Sequence, residues 1–185
     1  MDCGKEILDP DERSTVERQL GRKIRGEVWA VSRCPFGMVQ VIATPPFLPD
    51  GTPFPTLYWL TCPLLRREVG RLEGGGFRDE IRRCLEENPG LAEDLRRAEE
   101  DYRREREEWA ERMGMRREAV MCFAGREGVG GTVRGGLKCL HAHLAHFLAG
   151  GRNPVGALVA ERLEGKQKRS CRGDCTPFLG GKKRA

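Results

Sequence analysis

A chain of 185 residues that is 38% hydrophobic and 33% charged has apolar side chains for one core, and no apolar run approaches the ~20 residues of a membrane span. With 3 Trp, 2 Tyr and 7 Phe it is also too poor in aromatics for a stacking platform that binds single-stranded nucleic acid. The net charge of +5 belongs to one end: residues 165–185 hold Lys166, Lys168, Arg169, Arg172, Lys182, Lys183 and Arg184 against Asp174, which leaves the body nearly neutral.

The first residues, MDCGKEILDPDER, lack the basic and apolar regions of a secretory signal, so a cytoplasmic location is expected. The eight cysteines would then stay reduced, which favours packing, metal binding or thiol reactivity over a disulfide framework.

In chain order, DPDERSTVERQL (9–20) has an acidic start and Val16 and Leu20 one helical turn apart, and Gly21 stops it; this predicts a short amphipathic helix lying as a lid on the core. VWAVS (28–32) and VQVIA (39–43), rich in β-formers, flank the turn-like RCPFG (33–37) and read as a hairpin. Five prolines between residues 44 and 56 make the next stretch an extended loop. LYWLT (57–61) reads as a third strand, ended by Cys62-Pro63, and antiparallel pairing would bring Cys34 and Cys62 to the same edge of the sheet.

From 64 to 118 the composition shifts to 14 Arg and 16 Asp or Glu, in blocks separated by Gly74-Gly75-Gly76 and Asn88-Pro89-Gly90. Three helices are expected, the last running from Leu91 to about Met113 with an apolar stripe of Leu91, Leu95, Ala98, Tyr102 and Trp109. They form a charged helical arm, usable for self-association or for a protein partner. AVMCFA (119–124) reads as a fourth short strand or an apolar entry to the glycine loop after it, and residues 155–163 as a final helix with Asn153 as its cap and Pro154 at its first position. The fold class is therefore α+β: a small antiparallel sheet of three or four strands packed with helices in one domain over 1–164. The basic tail, 165–185, is expected to be disordered and offers nucleic acid a weak electrostatic contact at most.

Chemistry concentrates between Gly125 and Gly156, which hold all three histidines, Cys139 and a dense run of glycines. At 100° per residue Cys139, His143 and His146 would lie within roughly 60° of one another on a helix. Three uses fit these residues. Cys34, Cys62, Cys139 and His141 can bind one zinc or iron ion, since thiolate and imidazole are good ligands for both. Cys139, near a helix start and beside Lys138, can be a nucleophile, with His141 and His146 as the acid–base partners. Gly130, Gly131, Arg134 and Lys138 can cradle a small anionic ligand, although neither a Walker loop nor a dinucleotide fingerprint is complete.

QLGR (19–22), RCPFG (33–37), DGTPFPTLYWLTCP (50–63), GVGG (128–131), KCLHAHLAH (138–146) and NPVG (153–156) together resemble the bacterial domain-of-unknown-function 501 family over about residues 15–164. The resemblance implies no established reaction. It implies members encoded near a septum protein of cell division and an exopolyphosphatase, and hence a role near the envelope or phosphate metabolism. Its motifs contain Cys34, Cys62, Cys139, His141 and His146 and leave the CRGDC tail outside. Two functions are therefore expected: a Cys/His site that binds metal or acts through a thiol, and a non-catalytic module for a protein partner or phosphorylated ligand.

Overall fold

A computed structural model of the chain describes residues 6–164 together with Cys171, Gly173 and Cys175. The remainder of the expected tail lies outside the described residues. The order is β1 (Glu6–Ile7), α1 (Pro10–Leu20), β2 (Trp29–Arg33), β3 (Val39–Ala43), β4 (Tyr58–Leu60), α2 (Pro63–Gly74), α3 (Phe77–Glu87), α4 (Pro89–Arg112), α5 (Arg116–Cys122), α6 (Leu140–Leu148) and α7 (Pro154–Arg162). The class is α+β. The four strands form an antiparallel meander in chain order.

The fourth strand is not AVMCFA but Glu6–Ile7 at the other edge, and AVMC forms the end of α5. A six-residue apolar run carries no period, so flanking Arg116, Arg117 and Glu118, which favour helix, decide its state. α1 begins as its composition requires, with the Asp9 carboxylate accepting from Glu12 N–H at 2.8 Å, and ends on Gly21 at φ 71°. It covers one face of the sheet, where Val16 packs with Leu8, Val28, Ala30, Val39 and Ile42.

β3 is buried along its whole length. Its two faces serve different cores: Ile42 faces α1, whereas Val41 and Ala43 join the larger core with Leu57, Leu64, Tyr102, Leu140 and Leu144. α4 accordingly lies along the core instead of standing off as an arm. Leu95, Ala98, Tyr102 and Trp109 are buried, Tyr102 Oη accepts from Leu57 N–H at 2.6 Å, and Trp29 packs edge-on to Trp109 at 4.5 Å. Its outer face pairs within the helix, as in Arg96 with Glu93 and Glu100. Such exposed pairs contribute only ~0.3 to 0.5 kcal/mol each.

α6 and α7 approach very closely at Gly156. A Cβ there would press on the His143 carbonyl oxygen and come within 2.5 Å of Phe147 Cβ. Gly156→Ala should therefore cost about 2 kcal/mol through overpacking, read as a lowered midpoint in urea unfolding. Gly150→Ala, in open space, should lose less; its strain comes from backbone φ of 97° alone. Equal losses at the two sites would refute the close-packing account.

Candidate metal centre

α6 starts at Leu140, one residue later than the histidine spacing suggests, and this changes the site. Cys139 is its N-cap, with extended φ −141° and ψ 102°. The 100° step does not apply across that residue, so Cys139 leaves the helical face of His143 and His146. It meets His141 instead. The ligand atoms of Glu73, Cys139 and His141 all lie within 4.8 Å of one another, and each residue is partly exposed.

Glu73, near the end of α2, organises this corner. One carboxylate oxygen accepts from Leu140 N–H at 2.7 Å, satisfying a donor of the first turn of α6, and the other lies 3.4 Å from His141 Nδ1. On the far side of the ring, His141 Nε2 is 3.0 Å from the Arg66 carbonyl oxygen. A carbonyl only accepts, so Nε2 carries the proton, and in the neutral ring the Nδ1 lone pair faces a carboxylate. Three electron-pair donors thus converge on one corner. Burial alone would raise the Cys139 thiol and lower the His141 imidazole, but their mutual hydrogen bond and neighbouring backbone groups reverse both, favouring thiolate and imidazolium.

The centre opens on a cleft of about 490 Å³ whose walls include Arg22, Tyr58, Trp59, Arg66, Cys139 and His141.

The other expected site residues are distributed differently. Cys34 and Cys62 do occupy the same end of the sheet, each hydrogen-bonded to the β3 end: Cys34 N–H to Met38 O at 2.8 Å and Cys62 N–H to Gln40 O at 3.4 Å. They lie outside the Glu73–Cys139–His141 group, however. Burial pushes the Cys62 thiol up to about 11, helped by the nearby Cys175 and Cys34 thiols, which is the behaviour of a packed, protonated cysteine. His146 is fully buried in the core, its ring stacked on Tyr58 at 5.8 Å and edge-on to Tyr102 at 5.2 Å. Asn153 Nδ2 lies 3.2 Å from Nδ1 of both His143 and His146, which gives the two rings a shared structural partner.

The glycine loop is also committed. Gly130 O accepts from Thr56 Oγ1 at 3.2 Å, a Cβ on Gly131 would overlap the Pro55 ring, and Gly135 N–H donates to Glu99 at 2.7 Å. Arg134 pairs with Glu127 at 2.5 Å, while Lys138 is exposed and offers its carbonyl to Arg78 at 3.1 Å. The position an anion would take at the start of α6 is held by Glu73. Sequence reasoning missed Glu73, Arg22 and Arg66. RLEGGG places a carboxylate before a glycine run without any spacing that ties it to Cys139.

The fold and the corner together define an α+β protein with a Cys–His–Glu group at the edge of an arginine-bearing cleft. The family described as "Protein of unknown function (DUF501)" matches residues 30–161, and the chain belongs to it. No curated protein and no solved structure matches the chain. Among the described residues no helix is long and apolar enough to cross a membrane.

Proposed function

We propose that Glu73, Cys139 and His141 bind a single transition-metal ion, zinc by preference, and that its remaining coordination position opens to the cleft for catalysis on a small molecule. The observation that carries this is the commitment of His141 Nε2 to the Arg66 carbonyl, which turns Nδ1 toward Glu73. A metal-bound histidine characteristically donates its other N–H to a carbonyl or carboxylate, which fixes the tautomer and the ring. Thiolate, imidazole and carboxylate suit zinc, and three protein ligands with one open position are the pattern of catalytic rather than structural zinc. Such an ion would lower the pKa of a bound water and supply hydroxide near neutral pH.

Protein purified without a metal-binding tag should carry one zinc per chain. Glu73→Gln, Cys139→Ser and His141→Ala should each weaken zinc beyond the ~10- to 100-fold that outer partners are worth, whereas Cys34→Ser and His146→Asn should retain it. Full zinc occupancy in all three ligand variants, or neither zinc nor iron in the native protein, would remove the metal assignment.

One observation favours a second function. The same contacts stabilise Cys139 as a thiolate, which suits a nucleophile with His141 as its acid–base partner. Iodoacetamide modification of Cys139 should then be fast in chelated protein near neutral pH and should slow markedly in His141→Ala. Protection by added zinc would show that the metal and the reactive thiol share one site.

A further inference from the structure

The cleft beside the Cys–His–Glu corner has an unusual charge balance. Two neighbouring cavities share Leu20, Arg22 and Trp59, and their walls together bring Arg22, Lys23, Arg25 and Arg66 to one surface. Lys23 is neutralised by Glu17 at 2.6 Å and Arg25 by Asp50. Among the described residues, Arg22 and Arg66 have no carboxylate partner. The Arg22 guanidinium rests on the Trp59 ring at 4.3 Å, which holds it over the cleft. Arg66 donates one N–H to Gln19 O at 2.7 Å, which fixes its side chain while leaving further donors. Burial first, and the Arg22 charge second, disfavour its ionised form. Two arginines at one opening, each held in place and neither paired with a carboxylate among the described residues, form a site that an anion would relieve of both repulsion and unmet donors.

We infer that this cleft takes a small oxyanion, a phosphate or carboxylate group seated between Arg22 and Arg66, carried on an apolar body that lies against Tyr58, Trp59 and Leu60. The inference rests on the proposed metal centre for the location of the reacting atoms, which Cys139 and His141 place on the wall of the same cleft. The volume of about 490 Å³ suits a molecule of drug or metabolite size. The apolar wall is firm, because Trp59 is stacked on Phe54 at 5.5 Å and the Tyr58 hydroxyl donates to Glu105 at 2.7 Å. Selectivity follows from charge: a neutral analogue leaves both guanidiniums unpaired. This anion position differs from the glycine loop, whose backbone donors are largely consumed.

Titration calorimetry with phenyl phosphate and with benzoate, on the full chain in zinc-loaded and chelated forms, tests it. Saturable one-to-one binding of at least one probe is expected, and the probe preferred tells phosphate from carboxylate. Arg22→Gln and Arg66→Gln should each weaken it by about tenfold or more, the worth of one charge-assisted hydrogen bond, while Arg25→Gln should bind as the native chain does. Arg22 is exposed, so its variant keeps the test valid if Arg66→Gln folds poorly. Absence of binding by both probes, or native affinity in Arg22→Gln, overturns the inference. Zinc content is measured separately in every sample. Stoichiometric zinc without arginine-dependent binding overturns the anion site and leaves the metal centre; arginine-dependent binding in protein that takes no zinc supports the anion site and removes the metal centre.

Discussion

Replacing Asn153 with alanine should cost about 3 to 4 kcal/mol of folding stability, more than any single change at the cleft. Its Oδ1 accepts from Gly156 N–H at 2.8 Å and caps α7, which fixes the amide orientation. The Nδ2 hydrogens are then directed at Nδ1 of His143 and of His146, each 3.2 Å away. Both rings are thereby held as neutral Nε2–H tautomers. Alanine removes the cap, worth ~1 kcal/mol, and leaves two buried imidazole acceptors without donors, at ~1 to 3 kcal/mol each before relaxation. Equilibrium urea unfolding measures the loss. Asn153→Asp separates the two roles, because it keeps the cap but places a carboxylate against both lone pairs, so it should raise the histidine pKa values while losing stability near pH 7. A loss of only ~1 kcal/mol in Asn153→Ala would mean that the cap alone matters.

Acid should unfold the protein from within this same cluster. Burial first, and the neighbouring His143 second, push His146 down from 6.5 to about 4; burial also lowers His143. A histidine whose folded pKa lies below its unfolded value is protonated only in the unfolded chain between the two. Its contribution is complete above about pH 6.5 and is lost as pH falls toward 4. At ~1.4 kcal/mol per pH decade, the His146 window alone is worth about 3 kcal/mol. Glu99, raised chiefly by burial, works in the opposite sense above its ordinary value of 4.5 and offsets part of the loss. Proton NMR isolates the effect: the His146 ring resonances should stay at their neutral positions through pH 5.5, His143 should titrate below its usual range, and His141, whose pKa is raised, above it. Titration of His146 near 6.5 would refute the buried neutral pair. A stability that rises between pH 7 and 5 would show that other groups dominate.

Several elements were legible in residues alone because their causes are local. Asp9 with Pro10 starts α1 and Gly21 ends it; Asn153 with Pro154 starts α7; richness in β-formers marks β2 and β3. The shared edge of Cys34 and Cys62 also followed, since a meander of known strands fixes which ends coincide. The apolar stripe of α4 was equally plain, yet stripe and charge count together could not tell an arm from a core helix. That depends on what covers the stripe, and Trp29 comes from β2 and Leu57 from the residue before β4, both distant in the chain.

The fold class, the family motifs and the stretch that supplies Cys139 and His141 to the three-residue corner were readable from the chain, because composition, caps and periodicity act over a few residues. Which of those residues meet was settled by packing alone. The onset of α6 at Leu140 turned Cys139 away from His143 and His146 and toward His141, and a helical phase argument cannot survive one extended residue. The packing of α2 against α6 supplied Glu73 and the Arg66 carbonyl from about seventy residues away, and the turn that follows α1 brought Arg22. Contacts at that separation leave no spacing in the chain, so the corner that joins Glu73, Cys139 and His141 exists only once the helices are packed.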